Sequence, residues 1–331
     1  MKKKPMVSLL ALLLLATIVF AGVARVTRAP GETVNFYANI TAIEPLLEDF
    51  EARTGVRALY TRISTTQFLA TVFTEFEAGR LLADVIQAPL PVMEQLQARG
   101  ILAPHTSPSA VDFPEWARRG HEGIYLFAIE YVSIIYNRNL INPEDVPRRY
   151  QDLADPRWRN MIVMPNPSIH ATTISWLVSL RDNVFDGNDA EWREFLHGLA
   201  ANNPMFVASF GPTPAPISTG ERPIGISMPK YIVTHAPAPL SWAQIEPVMG
   251  SPRAIGISSS ARNPEAARQF VDYWLSAEAG RILADDVGEY VLTPGVFPPI
   301  AGMDTARVIP VRDLSDTELT YWSGVFRAIF N

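Results

Sequence analysis

Three short runs near the start of the chain decide its architecture: TVNFYA (33–38), VRALY (56–60) and ADVIQ (83–87). Each is rich in β-branched, aromatic or aliphatic residues and bounded by turn formers, as strands are. Helical periodicity fills the gaps between them. Over 43–53 the apolar positions Ile43, Leu46, Leu47 and Phe50 share one face, and Gly55 supplies a stop. Over 67–78 Phe68, Leu69, Val72, Phe73 and Phe76 do the same, and a third helix is expected over 91–99, ending at Gly100. Strand, helix, strand, helix, strand predicts an α/β unit with a largely parallel sheet. Such sheets bind ligands at the carboxyl ends of their strands. The turns there are candidate site walls: Asn39-Ile40-Thr41, Ser64-Thr65-Thr66 and Gln87-Ala88.

A second block opens with LFAIEYVSIIYN (126–137), which carries Glu130 at its middle. It exceeds an ordinary strand in length and is expected to cross between two bodies. Residues 161–164 read as a strand, and PNPS (165–168) turns into a helix with Ala171, Ile174, Leu177 and Val178 on one face. Further helices are expected over 191–199, 264–275, 278–284 and 316–329, and short buried strands over 224–227 and 255–257. Four prolines in 204–217 predict extended or turned chain. A second crossing is expected near 240–245, beside the proline-rich 236–239.

Outward from this frame, the N-terminus supplies a location. Lys2, Lys3 and Lys4 precede an apolar run over 6–24 that ends in Ala21, Gly22 and Ala24. A basic start, an apolar stretch and a small-residue exit form a cleavable secretory signal, which predicts a periplasmic protein. An uncleaved anchor is the alternative, because the run could just span a bilayer. The 331 residues contain no cysteine, which excludes disulfides, thiol chemistry and lipid attachment through cysteine. Without the three leader lysines, 28 basic residues become 25 against 34 acidic ones, a net charge near −9. That balance argues against nucleic acid, which needs a basic patch.

Catalytic motifs are missing. None of the five histidines stands at zinc-site spacing, so no metal site is expected. GISMP (225–229) and GISSS (256–260) lack the closing glycine of a serine nucleophile elbow. What remains is hydroxyl-rich turns ahead of helices, above all Pro165-Asn166-Pro167-Ser168-Ile169-His170-Ala171-Thr172-Thr173. A helix start offers free N–H groups and a positive dipole end, both suited to an anion. Ser168, His170, Thr172 and Thr173 add side-chain donors, with plain capping by Ser168 as the alternative role of this turn. Glu130 and Asp84 offer a cationic group on the same ligand a partner, and a structural hydrogen bond is the alternative for Glu130.

Six strings in order resemble the periplasmic solute-binding proteins of ABC importers, in the branch that includes ferric-iron, thiamine, phosphonate and sugar-phosphate binders. They are PLLEDFEARTGV (from Pro45), ADVIQ followed by LQARGILAP, IIYNRNL, DLADPRWRNMIVMPNPS, the STGE and IG pieces of ISTGERPIGI, and NPEAARQFVDYWLSAEAG. The resemblance covers roughly 34–290. It implies a type II fold: two α/β lobes with mostly parallel sheets and a ligand cleft between them. After a leader at 1–24, one lobe would hold 33–130 plus 243–296, and the other 131–242 plus 297–331. Site positions carried over by matching turns are Asn39, Thr41, Ser64, Thr65, Gln87, Ala88 and Tyr131 from the first lobe and the crossing. The second lobe would add Ser168, His170, Ala171, Thr172, Ser209 and Tyr231. The implied protein is a monomer without catalysis, cofactor or resident metal. It takes a small polar or anionic solute, organic phosphate or phosphonate, to an inner-membrane permease. An exported two-lobed hydrolase or transferase is the competing class.

One departure bears on the solute. Ferric-iron members present two adjacent tyrosines after the IG strand and usually a histidine after the first strand. This chain has Met228-Pro229-Lys230-Tyr231 and Asn39 at those places. Ferric iron prefers several hard anionic oxygens. Direct ferric binding is therefore not expected, whereas a ferric chelate stays open.

Overall fold

The computed structural model describes residues 32–312 and 314–330, except the side chains of Thr65, Thr66 and Asp316. The expected leader over 1–24 lies outside the described residues. Strand β1 (Thr33–Ala38) pairs in parallel with β2 (Arg57–Arg62) on one side and β3 (Val85–Pro89) on the other. Helix α1 (Glu44–Thr54) has a proline in its first turn, where a missing N–H costs nothing, and ends at Gly55 in the left-handed region, φ 71°. Helices α2 (Thr65–Glu77) and α3 (Leu90–Ala98) complete the βαβαβα unit.

The long strand β4 (Ile124–Asn137) then carries the chain away. Beyond it come β5 (Ile162–Pro165), α4 (Ala171–Asn183), α5 (Asp189–Ala201), β6 (Met205–Val207) and β7 (Ile224–Ser227). The return strand β8 (Val248–Ser258) leads to α6 (Pro264–Trp274), α7 (Ala277–Asp285) and the closing helix α8 (Asp316–Phe330). Hydrogen-bonded neighbours run β2-β1-β3-β8-β4-β7-β5-β6. The outer strands are parallel, but β8 runs antiparallel to β3 and β4, and β4 antiparallel to β7, so the sheet is mixed.

Two differences from the expected elements have physical causes. Only 255–257 stands out as a strand, yet β8 begins at Val248, because Gly250, Ser251 and Pro252 mask it. Gly250 is what lets the two crossing strands touch: a Cβ there would fall 2.3 Å from the Glu130 carbonyl oxygen. The proline-rich 204–217 is not wholly extended. A short helix covers Pro214–Thr219, with Pro214 and Pro216 in its first turn, where proline is tolerated.

Burial produces two apolar clusters. In the first, Phe36 packs on Phe270 and Trp274 with ring centroids 4.9 and 5.1 Å apart. In the second, Trp192 from α5 meets Trp322 from α8 at 5.4 Å, and its indole N–H donates to the Leu177 carbonyl at 2.9 Å. The clusters alternate along β4, where Ile129, Tyr131 and Ile135 belong to the first and Val132 and Ile134 to the second. Ile245 packs with the second cluster and Ala254 with the first. Ile300 and Met303 pack with the first cluster and Val311 with the second.

Helix α5 offers a local check. Asn188 caps it, its Oδ1 accepting from the N–H groups of Ala190 and Glu191 at 3.2 and 3.3 Å. Asn188→Ala is expected to cost about 1 kcal/mol. The denaturation midpoint should fall with an unchanged slope; an unshifted midpoint would deny the cap any role.

Candidate functional site

A cavity of about 350 Å³ opens where the ends of β1, β2 and β7 and the middles of β4 and β8 meet the start of α4. That volume suits a small solute. Its polar lining comes from Asn39, Thr41 and Arg62, from Glu130, Lys230 and Arg253, and from His170, Thr172, Ser209, Tyr231 and His235. Phe210, Gly211 and Met228 complete it.

The floor is a buried ion network. Arg253 is only 3% exposed. Its Nη2 lies 2.9 Å from Glu130 Oε1, its Nη1 donates to Asn39 Oδ1 at 3.3 Å, and its Nε lies 3.2 Å from Glu289 Oε2. The last contact is an ion pair without hydrogen-bond alignment. Glu289 is fully buried and accepts from Lys230 Nζ at 2.8 Å. Burial opposes ionisation of Glu289, but the Arg253 and Lys230 charges outweigh it and hold the carboxyl below its ordinary range. Gly288 fixes the approach: at φ 71°, a Cβ there would come 2.8 Å from the Lys230 carbonyl oxygen. The Gly288 carbonyl in turn accepts from the Tyr131 hydroxyl at 2.7 Å.

The opposite wall is the start of α4. His170, not Ser168, caps this helix: its Nδ1 accepts from the Thr173 N–H at 3.3 Å. Ser168 is spent elsewhere, its N–H and hydroxyl donating to Asn166 Oδ1 at 2.8 and 2.7 Å. Burial pushes the His170 pKa down, against the nearby Glu130 charge, so at neutral pH the ring is uncharged. With Nδ1 accepting, its proton sits on Nε2. The N–H groups of Ala171 and Thr172 have no acceptor among the described residues. Burial first, then the Glu130 charge, keeps Tyr231 a neutral phenol well above the ordinary tyrosine value.

Of the residues expected at a site, Asn39, Thr41, His170, Thr172, Ser209 and Tyr231 are brought together at this cavity. Six others are not. Gln87 is buried and supports the first turn, its Oε1 accepting from the Ile40 N–H at 3.1 Å. The Tyr60 hydroxyl secures the same turn by donating to the Ile40 carbonyl. Ala88 is buried in strand pairing opposite Ala254. Tyr131 is buried behind the floor, and Ser64 donates to Gln67 Oε1 at 3.0 Å. Ser168 and Ala171 flank the wall without lining it. The Thr65 side chain lies outside the described residues. Asp84 is no partner for a solute, because it accepts from the N–H groups of Asn35, Arg262 and Asn263. Sequence reasoning missed Arg62, Lys230, His235 and Arg253. The one available signal was Arg253, a lone charge inside the otherwise uncharged run VMGSPRAIGIS.

A family model described as bacterial extracellular solute-binding protein matches residues 82–314. Iron uptake protein A1 of Synechocystis sp. is 23% identical over 305 residues, 82% of this chain and 80% of that protein. The substrate-binding protein of an ABC transporter from Agrobacterium tumefaciens superposes with a TM-score of 0.77 at 14% identity, over 92% of this chain and 96% of that one. A periplasmic binding protein from Actinobacillus pleuropneumoniae with exogenous fructose-6-phosphate bound gives 0.68 at 18% identity, over 90% and 96%.

Proposed function

The chain belongs to the bacterial extracellular solute-binding proteins and has a two-lobed type II fold, and from that premise we propose that it delivers a small phosphate-bearing solute to an ABC permease. The observation that carries this reading is the meeting, across one cavity, of Arg62 with Thr172, whose N–H has no acceptor among the described residues. Thr41, Thr172 and Ser209 add hydroxyls on the same lining. Together these donors suit a tetrahedral oxyanion. The role is capture, without chemistry on the solute. The leader directs the chain to the periplasm, and the two clusters act as lobes that close on the solute by a hinge in the crossing strands.

A second reading is favoured by Tyr231 beside Glu130 and by the names of the iron uptake relatives. In it the solute is ferric iron inside an anionic carboxylate chelate. One neutral phenol and a carboxylate already paired with arginine are too few hard ligands for bare ferric iron.

Thermal melts with glycerol 3-phosphate and with ferric citrate separate the two. The bound probe should stabilise by about 2.7 kcal/mol at a hundredfold excess over its Kd. A shift with glycerol 3-phosphate supports the phosphate reading. A shift with ferric citrate alone replaces it with the chelate.

A further inference from the structure

Strand β4 joins the two halves of the sheet, and its two edges differ where it does so. Along one edge the chain stays alongside: Leu240–Trp242 lies opposite residues 135–137, and β8 takes over with Met249 opposite Val132. Along the other edge the pairing breaks. The short strand Tyr290–Val291 lies opposite Ile129 and Ala128, and β7 lies opposite residues 133–136. Among the described residues no backbone ladder covers 130–132 on that edge. The break separates Val291, of the first apolar cluster, from Ile226 and Met228, of the second.

Both registers, continued inward, bring the loose ends together: Glu289 falls opposite Glu130, and Met228 opposite Val132. What fills the break is side chain. Lys230 Nζ donates to Glu289 Oε1 at 2.8 Å, with Glu289 fully buried and Lys230 4% exposed. The Tyr131 hydroxyl, from β4 itself, donates to the Gly288 carbonyl at 2.7 Å.

We propose that the Lys230–Glu289 pair is a tie between the lobes that holds the angle between them, in place of the missing backbone rungs. A ladder locks two strands side by side, whereas the lysine stem is four flexible carbons behind a point charge. Its ammonium keeps hold of the carboxylate while the bodies on either side turn. Burial makes the tie selective, because an arrangement that pulled the pair apart would strand two charges out of water. Apolar side chains of the same volume would pack as well but accept a range of angles. The tie rests on the two-lobed fold and is independent of which solute is carried.

The test is the distance between labels on the two lobes of the solute-free protein. The chain has no cysteine, so two introduced ones take spin labels at known places. Ala52→Cys in α1 and Glu194→Cys in α5, both exposed, report across the lobes, and Ala52→Cys with Gln97→Cys in α3 reports within the first. Lys230→Met keeps an apolar stem and loses the charge. Pulsed electron resonance should show the distribution between the lobes broadened and the one within the first lobe unchanged. Destabilisation without loss of a tie would leave both native distributions as they are. Should Lys230→Met not melt cooperatively, Lys230→Met/Glu289→Leu fills the same space without charge and should broaden the same distribution. A distribution between the lobes as narrow as the wild type's, or equal broadening of both, would overturn the tie and leave the proposed solute untouched.

Discussion

Glu289→Gln is expected to lower stability by about 3–5 kcal/mol, the cost of removing one partner from a buried ion pair. Glu289 is the shared anion of Lys230 and Arg253. Its neutralisation leaves two buried cations with only one oxygen of Glu130 between them. Urea denaturation should show the loss as a lower midpoint. Replacing Lys230 and Glu289 together by Met and Leu should recover much of it, since well-packed apolar groups substitute for buried pairs at little cost. The same network predicts a pH dependence. The folded Glu289 pKa lies below its unfolded value. Its contribution is therefore present above the ordinary carboxylate range and lost as pH falls through the lowered folded value. Wild-type melts should weaken across that acidic window more than those of Glu289→Gln. Parallel pH profiles for the two proteins would show that the network does not support the fold.

Thr172→Glu should weaken binding of a phosphate-bearing probe by about a hundredfold or more while leaving the fold at least as stable. Thr172 is the second residue of α4 and lines the cavity. A carboxylate there favours the helix dipole by about 0.3–1 kcal/mol. Toward a bound anion it is a like charge, and two unit charges about 4 Å apart repel by about 4 kcal/mol at an effective dielectric near 20. Stability and affinity should therefore move in opposite directions, which a pure capping role does not produce. Calorimetry alongside thermal melts reads both. A well-folded Thr172→Glu variant that binds as the wild type does would remove this helix from the site.

The fold was legible in local pattern, the site only in part. TVNFYA (33–38) and residues 224–227 have the bounds expected of them, because their side chains alone specify buried strand. The turns after β1 and before α4 were legible too, since strand ends and helix starts advertise free donors. The ion network was not. Lys230 and Glu289 stand 59 residues apart, and Arg253 and Asn39 stand 214 apart. None of the four belongs to a spaced motif, and each pair exists only once distant stretches of the chain have met. Ser168 misled for the opposite reason. Its type suits a cap, yet Asn166 two residues earlier captures both its donors, and the cap passes to His170.

The two apolar clusters interleave along the chain. The first cluster draws Phe36 and Phe50 from the start of the chain and Phe270 and Trp274 from beyond residue 248. The second draws Trp176 and Trp192 from the middle and Trp322 and Phe326 from α8. Neither core can be finished from contiguous chain, and the second waits for the last fifteen-residue helix. Such nested, long-range closure is slow to form. Both cores are therefore complete only when nearly all of the chain is present.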